Sequence, residues 1–257
     1  TSLQLSVLSS DQLAALAPAS VRTLGTAQLR GLNSVQVAGL TTDQAASLSS
    51  IQFLGLTTDA FAGFETEDLL VLSSSQLSAF GTREVRALSS DGVAALSPVA
   101  IKGLTTTAIR GLVSDQVAGL TTEQATGLLP GQLSRLGTWA VTGFETEDLA
   151  VLGSAQVGAF LSQQIGVLGS HMVSAISTDA IRGLTTPQIA ALTSDSIAGL
   201  TSDQISVLSS AQVIGFETRD IAVLSSYQFK SINDSAIRGL QTSAIRALST
   251  EAMTGLQ

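Results

Sequence analysis

An unbroken eight-residue period constrains this chain more than any other feature. Cut from Thr1, it reads TSLQLSVL, SSDQLAAL, APASVRTL, GTAQLRGL, and thirty-two such octads run without an insertion to Leu256. Position eight is Leu except at Phe64, Phe80, Phe144, Phe160, Phe216, Ile176 and Ile232. Position five is a large apolar residue except at Ala45 and Ala125. Position two is Ser or Thr except at Pro18, Pro98, Pro130 and Asp234. So short and strict a period is the mark of a repeat architecture, in which each unit buries its apolar side only against neighbouring units. Such a chain grows without a central core, so 257 residues do not set a number of domains.

A longer period is superimposed. Residues 17–96 and 97–176 are two copies of one ten-octad block, with Phe-Glu-Thr-Glu-Asp at Phe64–Asp68 and Phe144–Asp148. A third copy, 177–232, has Phe-Glu-Thr-Arg-Asp at Phe216–Asp220 and is shorter by three octads, and a partial copy occupies 233–257. Loss in whole octads identifies the octad as the structural unit of a single array spanning 1–257.

Within an octad the pattern is that of a short capped helix. In Thr41-Thr42-Asp43-Gln44, the Thr41 hydroxyl and the Gln44 side chain stand at the capping-box spacing. The apolar residues at position eight, before the cap, and position five, after it, have the hydrophobic-staple spacing. Pro18, Pro98, Pro130 and Pro187 all lie in the first turn, where a missing N–H costs little. Twelve acidic residues occupy position three and nine of the twelve basic residues position six, each matched to the helix dipole. Gly at position seven in fourteen octads is expected to stop the helix. A helix this short does not survive alone, so burial of positions five and eight must supply its stability. The expected fold is all-α: an elongated solenoid of thirty-two octads, each a short helix plus a turn. The alternative is a β-solenoid with a Ser/Thr ladder, against which positions five and eight have opposite parity and would point to opposite faces of a strand.

Composition excludes several partners. A net charge of −8 argues against nucleic acid and against docking on anionic lipid. The chain has no Cys, hence no disulfide or thiolate metal site, and no apolar run of about 20 residues that would insert in a membrane. No cofactor is implied. The chain starts without Met and ends one residue into a further octad, as expected of a piece of a longer protein or of a trimmed mature form.

Few residues are candidates for chemistry. His171 is the only histidine and sits at the polar position three, so no two-histidine site or histidine relay exists. No Ser lies in a nucleophile elbow, so no enzymatic activity is expected. The clusters Glu65–Glu67–Asp68 and Glu145–Glu147–Asp148 are candidate Ca²⁺ sites. The alternative, which we favour, is acidic decoration of helix N-termini. Trp139 and Tyr227 at position three are either exposed contact points for a partner or half-covered side chains. The position-six bases, among them Arg22, Lys102 and Arg182, are expected to form a solvated face paired with acidic neighbours on adjacent coils.

The phrase Leu-Thr-Thr-Asp/Glu-Gln-Ala at Leu40–Ala45 and Leu120–Ala125 resembles the octapeptide tandem repeats of large bacterial surface proteins of adhesin-like or haemolysin-like type. That resemblance implies an extracellular or cell-surface setting and a structural role, and it carries no catalytic residues. The expected function is a rigid spacer or adhesive stalk. A self-assembling filament, stacking end to end with copies of itself, is the second expectation, and an ice- or glycan-binding module the third.

Overall fold

The computed structural model describes residues 1–246 and 248 of the chain; for residues 243 and 244 this covers the backbone only. The last octad and the end of the partial block 233–257 lie outside the described residues, and with them the stacking end at Leu256. Among the described residues the fold is all-α: helices of four to six residues, two 3-10 turns and no strand. The β-solenoid alternative is thereby set aside.

The octad frame holds in detail. Helices start at position two, as in Thr42–Ser47, Thr122–Gly127 and Ser202–Ser206, and position one is the N-cap with an extended backbone. The cap hydroxyl of Thr41, Thr121 or Thr201 accepts the N–H of the position-four Gln, satisfying a donor that the first turn leaves free. Pro18 and Pro130 open their helices and Pro187 is second in Thr186–Ala191. The octads containing Pro98 and Asp234 differ: they form the 3-10 turns Ala100–Gly103 and Ile237–Gly239 instead of α-helix.

Packing divides the chain into two compact units, Thr1–Gly143 and Phe144–Gln257. In the first, each helix lies against the third one further along: Ser2–Ser6 on Thr26–Leu29, Pro18–Arg22 on Thr42–Ser47, Ser74–Leu77 on the turn Ala100–Gly103. The second repeats the rule, with Ser162–Ile165 on Thr186–Ala191 and Ser194–Ala198 on Thr218–Val223. Each unit is thus an all-α repeat solenoid.

Positions five and eight form the core of both units. Leu77, Ile109, Leu133, Ile189 and Ile205 at position five are fully buried, and so are Ala45 and Ala125 where that position is small. The first unit fills one stretch with aromatics: the rings of Phe53, Phe61, Phe64 and Phe80 pack with centroids 4.9–6.1 Å apart. In the second, Phe144 meets Phe160 edge-on at 6.1 Å. Large aliphatic side chains buried this deeply each contribute about 1.5–3 kcal/mol.

Candidate functional site

The residue that organises the seams between coils is the position-four Gln. Its Oε1 accepts the N–H of the position-one residue of its own octad, as anticipated: Ser73 N–H to Gln76 at 2.8 Å, Thr121 N–H to Gln124 at 2.9 Å, Thr201 N–H to Gln204 at 2.8 Å. The bond persists where the cap has no hydroxyl, as at Val113 and Leu129. The second half of the amide does something the sequence did not reveal. Nε2 donates to main-chain carbonyls 28 and 31 residues earlier, at positions eight and five of the octad four units back. Gln36 reaches Leu5 O at 2.9 Å and Leu8 O at 2.7 Å. Gln124 reaches Val93 O at 2.9 Å and Leu96 O at 2.5 Å, and Gln204 reaches Val173 O and Ile176 O at 2.9 and 2.6 Å. The position-eight carbonyls are ones that a helix C-terminus leaves without a donor, while the position-five carbonyls also accept the position-eight N–H of their own octad. One buried amide therefore closes an N-terminus in its own octad and a C-terminus in another. Helices touch three octads apart and Gln amides reach four apart, so within each unit a coil takes between three and four octads.

A second fastener joins octads three apart. The position-two hydroxyls of Ser50, Thr82 and Thr186 donate to the carbonyls of Ser75, Thr107 and Ala211, 25 residues on, at 2.7–2.8 Å. Position-one hydroxyls therefore cap helices, while these position-two hydroxyls fasten coils.

Gly at position seven does end helices, as the C-cap of Ser34–Ala38, Ser114–Ala118 and Ser194–Ala198. No described residue has positive φ, so what Gly supplies there is space. A Cβ on Gly103 would lie 2.0 Å from Ser74 O, one on Gly63 2.1 Å from Ser34 O, and one on Gly183 2.0 Å from Ser154 O. Gly lets the end of one octad rest on the backbone that opens the octad three units before.

The acidic runs break this scheme. Asp68, Asp148 and Asp220 hold position four in octads 65–72, 145–152 and 217–224, and all three are buried, at 3%, 2% and 0% exposure. The favoured reading of acidic decoration holds for Glu65, Glu67, Glu145 and Glu147, which are exposed, and fails for the three Asp side chains. Like Gln, Asp accepts the position-one N–H: Glu217 to Asp220 at 2.9 Å, Glu145 to Asp148 at 3.4 Å. A carboxylate cannot donate to carbonyls, and Asp68 Oδ2 has no hydrogen-bond partner. Burial, with smaller contributions from the neighbouring Glu65 and Glu67 charges, pushes the Asp68 carboxyl up to about 6 against the pull of the Glu65 N–H. Burial does the same at Asp148, also to about 6, beside Glu145 and Glu147. Glu67 and Glu147 are held below the ordinary range by their own N–H groups and the Thr66 and Thr146 hydroxyls, at 2.9 and 2.8 Å. The third copy differs: Ser194 Oγ donates to Asp220 Oδ1 at 2.9 Å, and Arg219 Nε lies 3.1 Å from Glu217 and 3.7 Å from Asp220.

The other candidates are quickly placed. Among the described residues no three His, Cys, Asp or Glu side chains are arranged to hold a metal ion, so neither Glu65–Glu67–Asp68 nor Glu145–Glu147–Asp148 gathers into a ligand shell. His171 is exposed, as its position implied. Trp139 and Tyr227 are not half-covered: they are 84% and 80% exposed. The position-six bases are exposed but not paired across coils, since among the described residues only Arg219 forms ion pairs. Long side chains in water gain too little from pairing to hold one geometry. No described helix is long and apolar enough to cross a membrane.

Comparison with known proteins agrees with the octad frame. No curated protein matches the chain. The model of one family, described as the ALTTAQ repeat, matches residues 18–50, 61–98, 141–178 and 173–202, together just over half of the sequence. Its name shares Leu, Thr, Thr and Gln, in register, with Leu40–Gln44 and Leu120–Gln124, the cap and first turn of an octad through its Gln. This chain belongs to the ALTTAQ repeat family, a tandem-repeat protein whose unit is a short capped helix, fastened to another coil by a buried amide at octads such as 121–128 and 201–208.

Proposed function

We propose that this array is a non-catalytic structural region of a bacterial secreted or cell-surface protein, serving as a rigid spacer or adhesive stalk. One observation carries this reading: the polar side chains that recur in every block are spent on holding coils together. The Gln amides are saturated by main-chain partners in both units, and position-two hydroxyls bridge octads three apart. Such a repeat transmits rigidity and keeps little polar equipment for a substrate. It also leaves the hydroxyls poorly placed as a lattice for ice or glycan. The surface setting rests on the resemblance of the repeat to those of large bacterial surface proteins.

Small-angle scattering on the purified chain across a concentration series tests the mechanical part. A rod-like profile that does not change with concentration supports a spacer. A profile that lengthens with concentration replaces it with an end-to-end filament, and a compact profile overturns both. Accessibility of the array to protease on intact cells of the producing bacterium tests the setting; protection until lysis would overturn it.

A further inference from the structure

Octads 65–72 and 145–152 have neither a Gln at position four nor a Gly at position seven, and they bury a carboxyl instead. Asp68 and Asp148 stand where a Gln would donate to another coil. Val71 and Val151 stand at the position where Gly closes on a neighbouring backbone, and they remain 43% and 44% exposed. In the register of the Gln ladder, the carbonyls due to receive a donor at Asp68 are those of Val37 and Leu40, and an ionised carboxylate brings them only more negative charge. Asp68 Oδ2 is buried with no partner. No cation relieves it. The helices packed on Thr66–Leu70 are Thr42–Ser47 and Ser90–Ala95, whose only titratable residues are Asp43 and Asp91, and its own octad adds Glu65 and Glu67. The helix Ser170–Ala175, packed on Thr146–Val151, contributes His171, which acts on Glu147.

We propose that octad 65–72 is a proton-responsive seam: uptake of one proton by Asp68 converts a buried acceptor without a partner into a donor and tightens the coil around it, and ionisation loosens it. The first unit therefore has stretches fastened by Gln and, at octad 65–72, a joint that responds to acidity. The third copy provides an internal comparison. There Arg219 replaces the position-three Glu, Ser194 supplies a hydrogen bond, and both Asp220 oxygens have partners. That seam is fastened by charge instead and should not tighten on acidification.

The sign and size follow from linkage. Asp68 has its folded value raised to about 6 from the ordinary 3.8. The stability it supports is fully present below about pH 4 and is lost as pH rises through about 6. The local opening equilibrium should therefore grow about 100-fold between about pH 4 and pH 7, and no further above that. Hydrogen exchange on the full chain, corrected for intrinsic rates, reads this at the amides of 42–47, 66–70 and 90–95. The reference is Asp68→Asn, whose amide is neutral and can donate at every pH. We expect Asp68→Asn to exchange up to about 100-fold more slowly than the parent at pH 7 and equally at pH 4. Asp220→Asn, which gives up the Arg219 pair, should show no such protection at Thr218–Val223. Equal exchange of parent and Asp68→Asn at both pH values overturns the proposal. Should Asp68→Asn fail to fold, the carboxyl ¹³C titration of Asp68 in the parent decides: a midpoint near 6 supports the seam, and one near 4 overturns it. Protection at pH 7 gained on adding Ca²⁺ alone also overturns it, by making the cluster a cation site.

Discussion

Consider replacing Gln124 by Ala. The side chain is fully buried and makes four hydrogen bonds: Oε1 from Thr121 N–H at 2.9 Å, and Nε2 to Val93 O, Ala94 O and Leu96 O at 2.9, 3.1 and 2.5 Å. Val93 O retains a bond from Leu96 N–H at 3.1 Å, so the groups stranded most severely are Thr121 N–H and Leu96 O. Each buried polar group left without a partner costs about 1–3 kcal/mol, and the amide leaves a small cavity, for a total of about 3–5 kcal/mol. Gln12→Ala is the matched control. Gln12 has the same octad position and the same cap bond, from Ser9 N–H at 3.0 Å, but it is exposed. Its loss should cost about 0.5–1 kcal/mol, the usual value of a cap. Repeat arrays need not unfold in two states, so the readout is hydrogen exchange at 89–96 and 121–128, supported by urea unfolding. Losses for the two variants within about 0.5 kcal/mol of each other would mean that the amide acts only as a cap, and the seam argument would fail.

Other expectations follow from the same geometry. Gly103→Ala forces a Cβ to within 2.0 Å of Ser74 O and should cost several kcal/mol or open the coil, whereas Gly131→Ala, with nothing within 4 Å, should stabilise helix Pro130–Leu133 by about 0.5–1 kcal/mol; thermal melts separate them. Asp68→Asn combined with Asp148→Asn should raise stability at pH 7 by up to about 3 kcal/mol per site and leave it unchanged near pH 4, because two carboxyls raised to about 6 cease to be buried charges; urea midpoints at the two pH values check this. Far-UV circular dichroism should give a helical spectrum, and a strand-type spectrum would contradict the octad frame. Trp139→Ala should leave stability unchanged within about 0.5 kcal/mol, since the ring is 84% exposed; a larger loss in the thermal midpoint would show an interaction that the structure lacks.

What the sequence made legible was whatever lies within one octad. The cap at Thr41, the first-turn place of Pro18 and the burial of Leu77 follow from spacings of a few residues, and a strict period repeats the evidence many times over. What it hid lies between octads. Gln124 looks like a capping residue because its Oε1 is one; its Nε2 partners are 28 and 31 residues away, and in a sequence of equal units every distant octad resembles every other. Gly103 carries the same lesson: an end-of-helix glycine suggests a left-handed cap, while its real cause is the backbone of Ser74. Asp68 was read as surface charge because its neighbours Glu65 and Glu67 are surface charge. The discriminating signal was position: Asp68, Asp148 and Asp220 stand at position four, where sixteen octads place Gln, and a residue in that register inherits its burial.

The central claim is that a buried position-four Gln amide fastens a coil through both of its ends. Side-chain amide exchange, observed by NMR for individually assigned Gln residues, tests it most directly. The account predicts that the Nε2 protons of Gln124 and Gln204, shared among main-chain carbonyls in the core, exchange orders of magnitude more slowly than those of the exposed Gln4 and Gln12. Equally fast exchange at all four would contradict it.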